Sequence, residues 1–202
     1  MMSSSRKGRR GARSRELHLT AEGLVEGVRY IASPNCDDRP LGVAVELIVI
    51  HAISLPPGEF GGSAIVDLFT NRLDCSAHPY YANLAPLEVS AHFLVRRDGE
   101  VIQFVACGKR AWHAGVSNWC GRSRCNDYSI GIELEGSEDV PFEDAQYEAL
   151  AAVTQALKAG YPVSGIVGHS DIAPGRKTDP GPHFDWDRFR ALTGEPPPNS
   201  VA

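Results

Sequence analysis

Apolar and polar positions along the chain fall into segments of two periods. "VAVELIVIHAISLPPG" (43–58) is a near-continuous Val/Ile/Leu run, as a buried strand requires, stopped by Pro56, Pro57 and Gly58. "SIGIELEG" (129–136) alternates, which sets Ile130, Ile132 and Leu134 on one face and Gly131, Glu133 and Glu135 on the other. "SAHFLVRRDGEVIQFVA" (90–106) holds Asp98-Gly99 between two apolar runs and predicts a hairpin. Helical spacing predicts a short helix in "GGSAIVDLFTNR" (61–72), with Ile65, Leu68 and Phe69 on one side. A longer helix is predicted in "FEDAQYEALAAVTQALKAG" (142–160), with acidic residues first and a stripe of Tyr147, Leu150, Ala151 and Leu157. "GIVGH" (165–169) reads as a last short strand and "FDWDRFRALTG" (184–194) as a closing helix ended by Gly194. Strands alternating with helices around a hairpin predict an α/β (α+β) fold, a single domain with a central mixed sheet flanked by helices.

Between the last strand and last helix lies "GHSDIAPGRKTDPG" (168–181). Its prolines and glycines predict an irregular loop carrying His169, Asp171, Lys177 and Asp179. Residues 1–20 read as a disordered basic leader and 195–202 as a Pro-rich tail, leaving 21–194 as the working domain.

The net charge of −5 gives no reason to expect nucleic acid or an anionic membrane as partner. The basic start lacks the apolar run of an export signal, and no stretch approaches the ~20 apolar residues of a membrane span. Five cysteines without a CxxC pair argue against a zinc-cysteine module and for free thiols. The expectation is a cytoplasmic monomer.

Candidate chemistry gathers at strand ends. His51 and His169 both close apolar runs, where a sheet presents side chains to a common crevice. Asp179 follows ten residues after His169 on a loop stiff enough to return there. Two imidazoles and a carboxylate match the three protein ligands of a catalytic zinc site. The bland alternative makes the histidines core residues and Asp179 the cap of the closing helix. Glu133 is a candidate base whose pKa burial would raise, although Glu135 shares its face and alternation alone does not separate them. Lys177 could reach an oxyanion, and Asp171 reads as a turn-forming carboxylate, or one that orients a ligand, ahead of a fourth ligand. His92 and His113 sit among apolar neighbours and read as structural. Of the two, His113 is better placed to face substrate, beside Trp112.

The stretches "HAISLPPGEFGG", "SAHFLVRRDGE", "KRAWHAGVS", "GRSRCNDYSIGIELEG", "FEDAQY" and "GHSDIAPGRKTDPGP" together resemble the AmpD family of 1,6-anhydro-N-acetylmuramyl-L-alanine amidases over about residues 28–194. The resemblance implies a fold of the peptidoglycan-recognition-protein (amidase-2) type. It implies Zn2+ held by His51, His169 and Asp179, with Glu133 rather than Glu135 as the catalytic carboxylate and Lys177 stabilising the transition state. Trp112 and Arg124 match substrate-binding positions. The implied partner is a 1,6-anhydromuropeptide. The implied reaction is hydrolysis of the amide joining N-acetylmuramic acid to L-alanine, in cytoplasmic peptidoglycan recycling.

Two departures bear on substrate. Ala52 stands where the family usually has Asn, removing an amide that could bond substrate. Glu88 stands where many relatives carry a base, making a carboxylate contact repulsive there. Two other readings are a binding module of this fold without catalysis and a related amidase acting on intact wall outside the cytoplasm. Retention of the whole His/His/Asp, Glu133 and Lys177 set speaks against the first.

Overall fold

Leu47, Ile48, Val49 and Ile50 are wholly buried, and the run they begin is a central strand of a six-stranded sheet. The computed structural model describes residues 16–196. In chain order the strands are β1 (Arg29–Tyr30), β2 (Cys36–Asp38), β3 (Leu47–Ile53), β4 (Phe93–Val95), β5 (Val101–Gln103), β6 (Lys109–Ala111), β7 (Asn118–Trp119), β8 (Arg122–Ser123), β9 (Ser129–Glu135) and β10 (Gly165–Gly168). The helices are α1 (Ala64–Phe69), α2 (Asp144–Gly160), α3 (His169–Ile172) and α4 (Trp186–Thr193), with 3-10 turns at Pro79–Leu84 and Cys125–Asp127.

The main sheet runs β1-β5-β4-β9-β3-β10; β2/β6 and β7/β8 form two small ribbons. Only the β4/β5 hairpin at Asp98-Gly99 is antiparallel within the main sheet, so the expected mixed sheet is found. Alternation along β3 and β9 sorts the two faces. Ile48, Ile50, Ile130, Ile132 and Leu134 pack with Tyr147, Leu150, Val153 and Leu157 of α2 and Phe189 of α4. Leu47 and Val49 face the other way, against Ala114, Tyr128 and Ile172. Gln146 of α2 is buried and donates to the carbonyls of Glu135 (3.0 Å) and Val95 (3.3 Å), which ties the helix to the carboxyl ends of β9 and β4. Gly194 takes a left-handed φ of 73° after α4, as its place as stop signal predicts.

The segment 168–181 is more ordered than its composition predicts. A single helical turn, α3, begins at His169 directly after β10, because the Asp171 carboxylate accepts the Gly168 N–H at 2.7 Å and caps it. The chain then doubles back, and the Ser170 N–H donates to the Asp179 carbonyl at 2.9 Å. Asp179 does not cap the closing helix; Asp185 does, accepting the Arg188 N–H at 2.9 Å.

Of the leader expected over 1–20, residues 1–15 lie outside the described residues, and Leu17 and Leu19 pack against the main core. Residues 197–202 of the expected tail also lie outside them. No helix among the described residues is long and apolar enough to cross a membrane.

Candidate metal centre

Three parallel strands, β9, β3 and β10, end at one edge of the sheet, and each delivers a functional group there. Parallel register sets His51 beside Glu133 on the sheet face turned away from α2. β10 delivers His169 from the next position along, and the returning loop adds Asp179. His51 Nδ1 and His169 Nδ1 stand 3.0 Å apart, and Asp179 Oδ2 lies 3.2 Å from the first and 3.1 Å from the second.

The other nitrogen of each ring explains why these atoms converge. His51 Nε2 meets His113 Nδ1 at 2.9 Å, and His169 Nε2 meets the Ala114 carbonyl at 3.1 Å. With its proton on Nε2, each neutral imidazole aims a bare Nδ1 lone pair at the same point as the carboxylate. Three lone pairs that close repel one another unless a cation lies between them. Ligand atoms ~2.0–2.1 Å from a tetrahedral zinc stand about 3.3 Å apart, close to the separations found. His51, His169 and Asp179 could therefore hold a metal ion.

Glu133 Oε1 lies 4.0 Å from His51 Nδ1, and its Oε2 is buried without a hydrogen-bond partner. Burial first, then the Asp179 charge, pushes its carboxyl well above the usual range, and the Lys177 ammonium partly opposes them. Burial also raises Asp179, but in the absence of metal a proton held between its Oδ2 and the His169 or His51 Nδ1 outweighs this and keeps that carboxyl well below its ordinary value. Lys177 is exposed at the rim and close enough to act electrostatically on both Glu133 and His51.

The structure separates the two carboxylates that alternation left together. Glu135 is 1% exposed, pairs with Arg96 at 3.0 Å and accepts the Gly61 and Arg97 N–H groups, so its lone pairs are engaged. Asp171 serves the backbone of Gly168, as its turn-forming reading predicts. His92 is structural: the Gly131 N–H meets its Nδ1 at 3.1 Å and its Nε2 meets the Lys109 carbonyl at 3.1 Å.

His113 is structural as well, as its apolar neighbours predict, and its ring is not free to face substrate. Both ring nitrogens are engaged inside the protein, Nδ1 with His51 and Nε2 with Ser129 Oγ at 3.1 Å. The sequence carries one signal for this, the glycine at 131 within an alternating strand, since a Cβ there would lie 2.4 Å from His113 Cγ. Trp112, half-buried, is fixed through its backbone to Ser90. Arg124 is exposed and left-handed at φ 62°, with Nε 3.1 Å from Asp127. Ala52 packs on the α2 side of the sheet, opposite His51, so an amide there would not point with the imidazole. Glu88 is exposed in the loop before β4.

Converging donors beside a buried, partnerless carboxylate, at the carboxyl edge of parallel strands, are the equipment of a hydrolase. A family model described as N-acetylmuramoyl-L-alanine amidase matches residues 41–182. The chain belongs to that family, and within it to the AmpD-type amidases. It is 58% identical over 176 residues, 86% of this chain and 94% of the other, to the 1,6-anhydro-N-acetylmuramyl-L-alanine amidase AmpD of Citrobacter freundii. A crystal structure of selenomethionine AmpD superposes with a TM-score of 0.84 at 58% identity, covering 86% of this chain and 98% of that one. The amidase AmiD of E. coli, solved in complex with the substrate anhydro-N-acetylmuramic acid-L-Ala-D-γ-Glu-L-Lys, gives a TM-score of 0.55 at 30% identity, covering 86% and 65%.

Proposed function

We propose that this amidase is zinc-dependent and cleaves the amide between 1,6-anhydro-N-acetylmuramic acid and the L-alanine of a stem peptide, in cytoplasmic peptidoglycan recycling. The observation that carries the reading is the convergence of His51 Nδ1, His169 Nδ1 and Asp179 Oδ2 on one point beside the partnerless Glu133. The substrate class follows from the relatives, which are named for that amide.

His51, His169 and Asp179 are the ligands, within a working domain of residues 21–194. Zinc held there supplies Lewis-acid polarisation of the scissile carbonyl and acidifies the attacking water. The remaining work belongs to the chain. Glu133 takes the water's proton on its free oxygen and returns it to the departing alanine nitrogen, a transfer suited to a carboxyl whose pKa is raised by burial. Lys177, at the rim and without a side-chain partner among the described residues, brings its ammonium to the oxyanion as charge develops. Trp112 offers a face to the sugar or peptide, and Arg124 pairs with a peptide carboxylate.

The test is mass spectrometry of products from purified protein and anhydromuramyl-tripeptide, with and without a zinc chelator. Free tripeptide, lost with chelator and restored by zinc, is the expected result. Release that resists chelation would overturn the metal assignment, and release only from intact wall would overturn the substrate.

A further inference from the structure

The mechanism above leaves the His113 imidazole, beside His51, without a task. His113 is half-buried, its ring centroid 5.0 Å from that of His51 and at 88° to it, and both its ring nitrogens are engaged inside the protein. Its neighbour Ala114 supplies the carbonyl that His169 meets. Two adjacent residues therefore hold the outward nitrogens of both histidines.

We infer that residues 113 and 114 form a single clamp, pinned by Asn126, that sets the tautomer of both His51 and His169 so that Nδ1 faces the metal. The inference rests on the zinc reading above. An imidazole binds metal through Nδ1 only when its proton sits on Nε2, and the acceptor placed at Nε2 decides this. For His169 that acceptor is a carbonyl, which leaves no choice. For His51 it is His113 Nδ1, which accepts only if His113 carries its own proton on Nε2. The Ser129 hydroxyl at 3.1 Å receives that proton, so the order of donors runs from His51 through His113 to Ser129.

The clamp is fixed from three sides. Asn126 Oδ1 accepts both backbone N–H groups, at 3.2 Å from His113 and 2.8 Å from Ala114. Arg176, on the same loop as Lys177 and Asp179, donates to the Ala114 carbonyl at 2.7 Å. The His113 ring lies flat against β9 where Gly131 has no Cβ to displace it. His113 is a positioning residue, because its contacts are with a ligand and not with reacting atoms.

The experiment measures the zinc dissociation constant by chelator competition for the wild-type chain, His113→Phe and His113→Asn, with circular dichroism of each metal-free protein. His113→Phe is expected to weaken zinc about 10- to 100-fold with its metal-free spectrum intact, the usual cost of losing a ligand's hydrogen-bond partner. His113→Asn, whose amide oxygen stands near the place of Nδ1, is expected to recover most of that loss. In the zinc-loaded wild type, nitrogen chemical shifts are expected to show metal on Nδ1 and a proton on Nε2 of both histidines. Should the Phe variant fail to fold, Asn126→Ala tests the clamp from the backbone side and is expected to weaken zinc. Unchanged affinity in a folded variant of either kind, or Nε2 ligation by His51, overturns the clamp. A wild-type chain that binds no zinc overturns the reading beneath it, and the clamp with it.

Discussion

His51 and Glu133 are register partners across the parallel β3/β9 pair, with Nδ1 and Oε1 4.0 Å apart on the same sheet face. The same alternation that buries Ile50 and Ile132 on the opposite face turns these two side chains into the site. A one-residue slip of either strand would send one of them to the other face. The proposed metal ligand and the proposed proton carrier are thus placed by the register of the core.

Replacing Glu133 with Gln keeps the shape and removes the proposed base. Zinc binding is expected to persist, while kcat falls by about 100- to 10,000-fold, the range for losing a general base. Parallel measurement of zinc content and single-turnover rate checks this. Loss of zinc together with activity would instead make Glu133 a ligand.

Arg96→Met should destabilise the fold without touching zinc. It leaves the Glu135 carboxylate, 1% exposed, with only its backbone donors. Breaking a buried pair from one side costs about 3–5 kcal/mol, and the two remaining N–H bonds set the expected value at the lower end. Urea unfolding with a zinc titration distinguishes this from a catalytic role for Glu135.

Gly131→Ala places a methyl where His113 lies, 2.4 Å from its Cγ. Overpacking of this kind costs about 1–3 kcal/mol. The unfolding midpoint of the metal-free protein is expected to drop accordingly, whereas Gly175→Ala, where a Cβ meets nothing within 4 Å, meets only the backbone strain of φ 74°.

Acid should destabilise the metal-free protein through its three lowered imidazoles, with Glu133, whose raised carboxyl takes up a proton on folding, opposing one of them. Burial lowers His51 from 6.5 to about 4 and His92 to about 3, and it puts His113 well below its ordinary value. Between pH 6.5 and about 4 the unfolded chain binds protons on these rings that the folded chain refuses, so stability falls as pH falls. Each ring contributes ~1.4 kcal/mol per pH unit across that window. Denaturant unfolding of metal-free protein at pH 7 and pH 5 checks the slope. A flat profile would mean that the buried rings take up protons when folded.

Local patterning along the chain sets the elements. The Val/Ile run at 47–53, the alternation at 129–135, the Asp98-Gly99 turn and the stripe of α2 each carry a local period, and local periods survive without knowledge of neighbours. It also placed His51 and His169 at strand ends and put Glu133 on the polar side of its strand. What it left open depended on contacts between segments far apart in the chain. Glu133 and Glu135 share one face, and only the position of Arg96 across the fold engages Glu135 and leaves Glu133 free. Prolines and glycines at 168–181 predicted a loop, but a capping bond from Asp171 makes one helical turn of its start. His113 was read from its apolar neighbours, and those say that it is structural but not which nitrogen meets what. Only the tertiary structure brings Asn126, Ser129 and Gly131 around it, because a tautomer is decided by acceptors in space and not by neighbours in sequence.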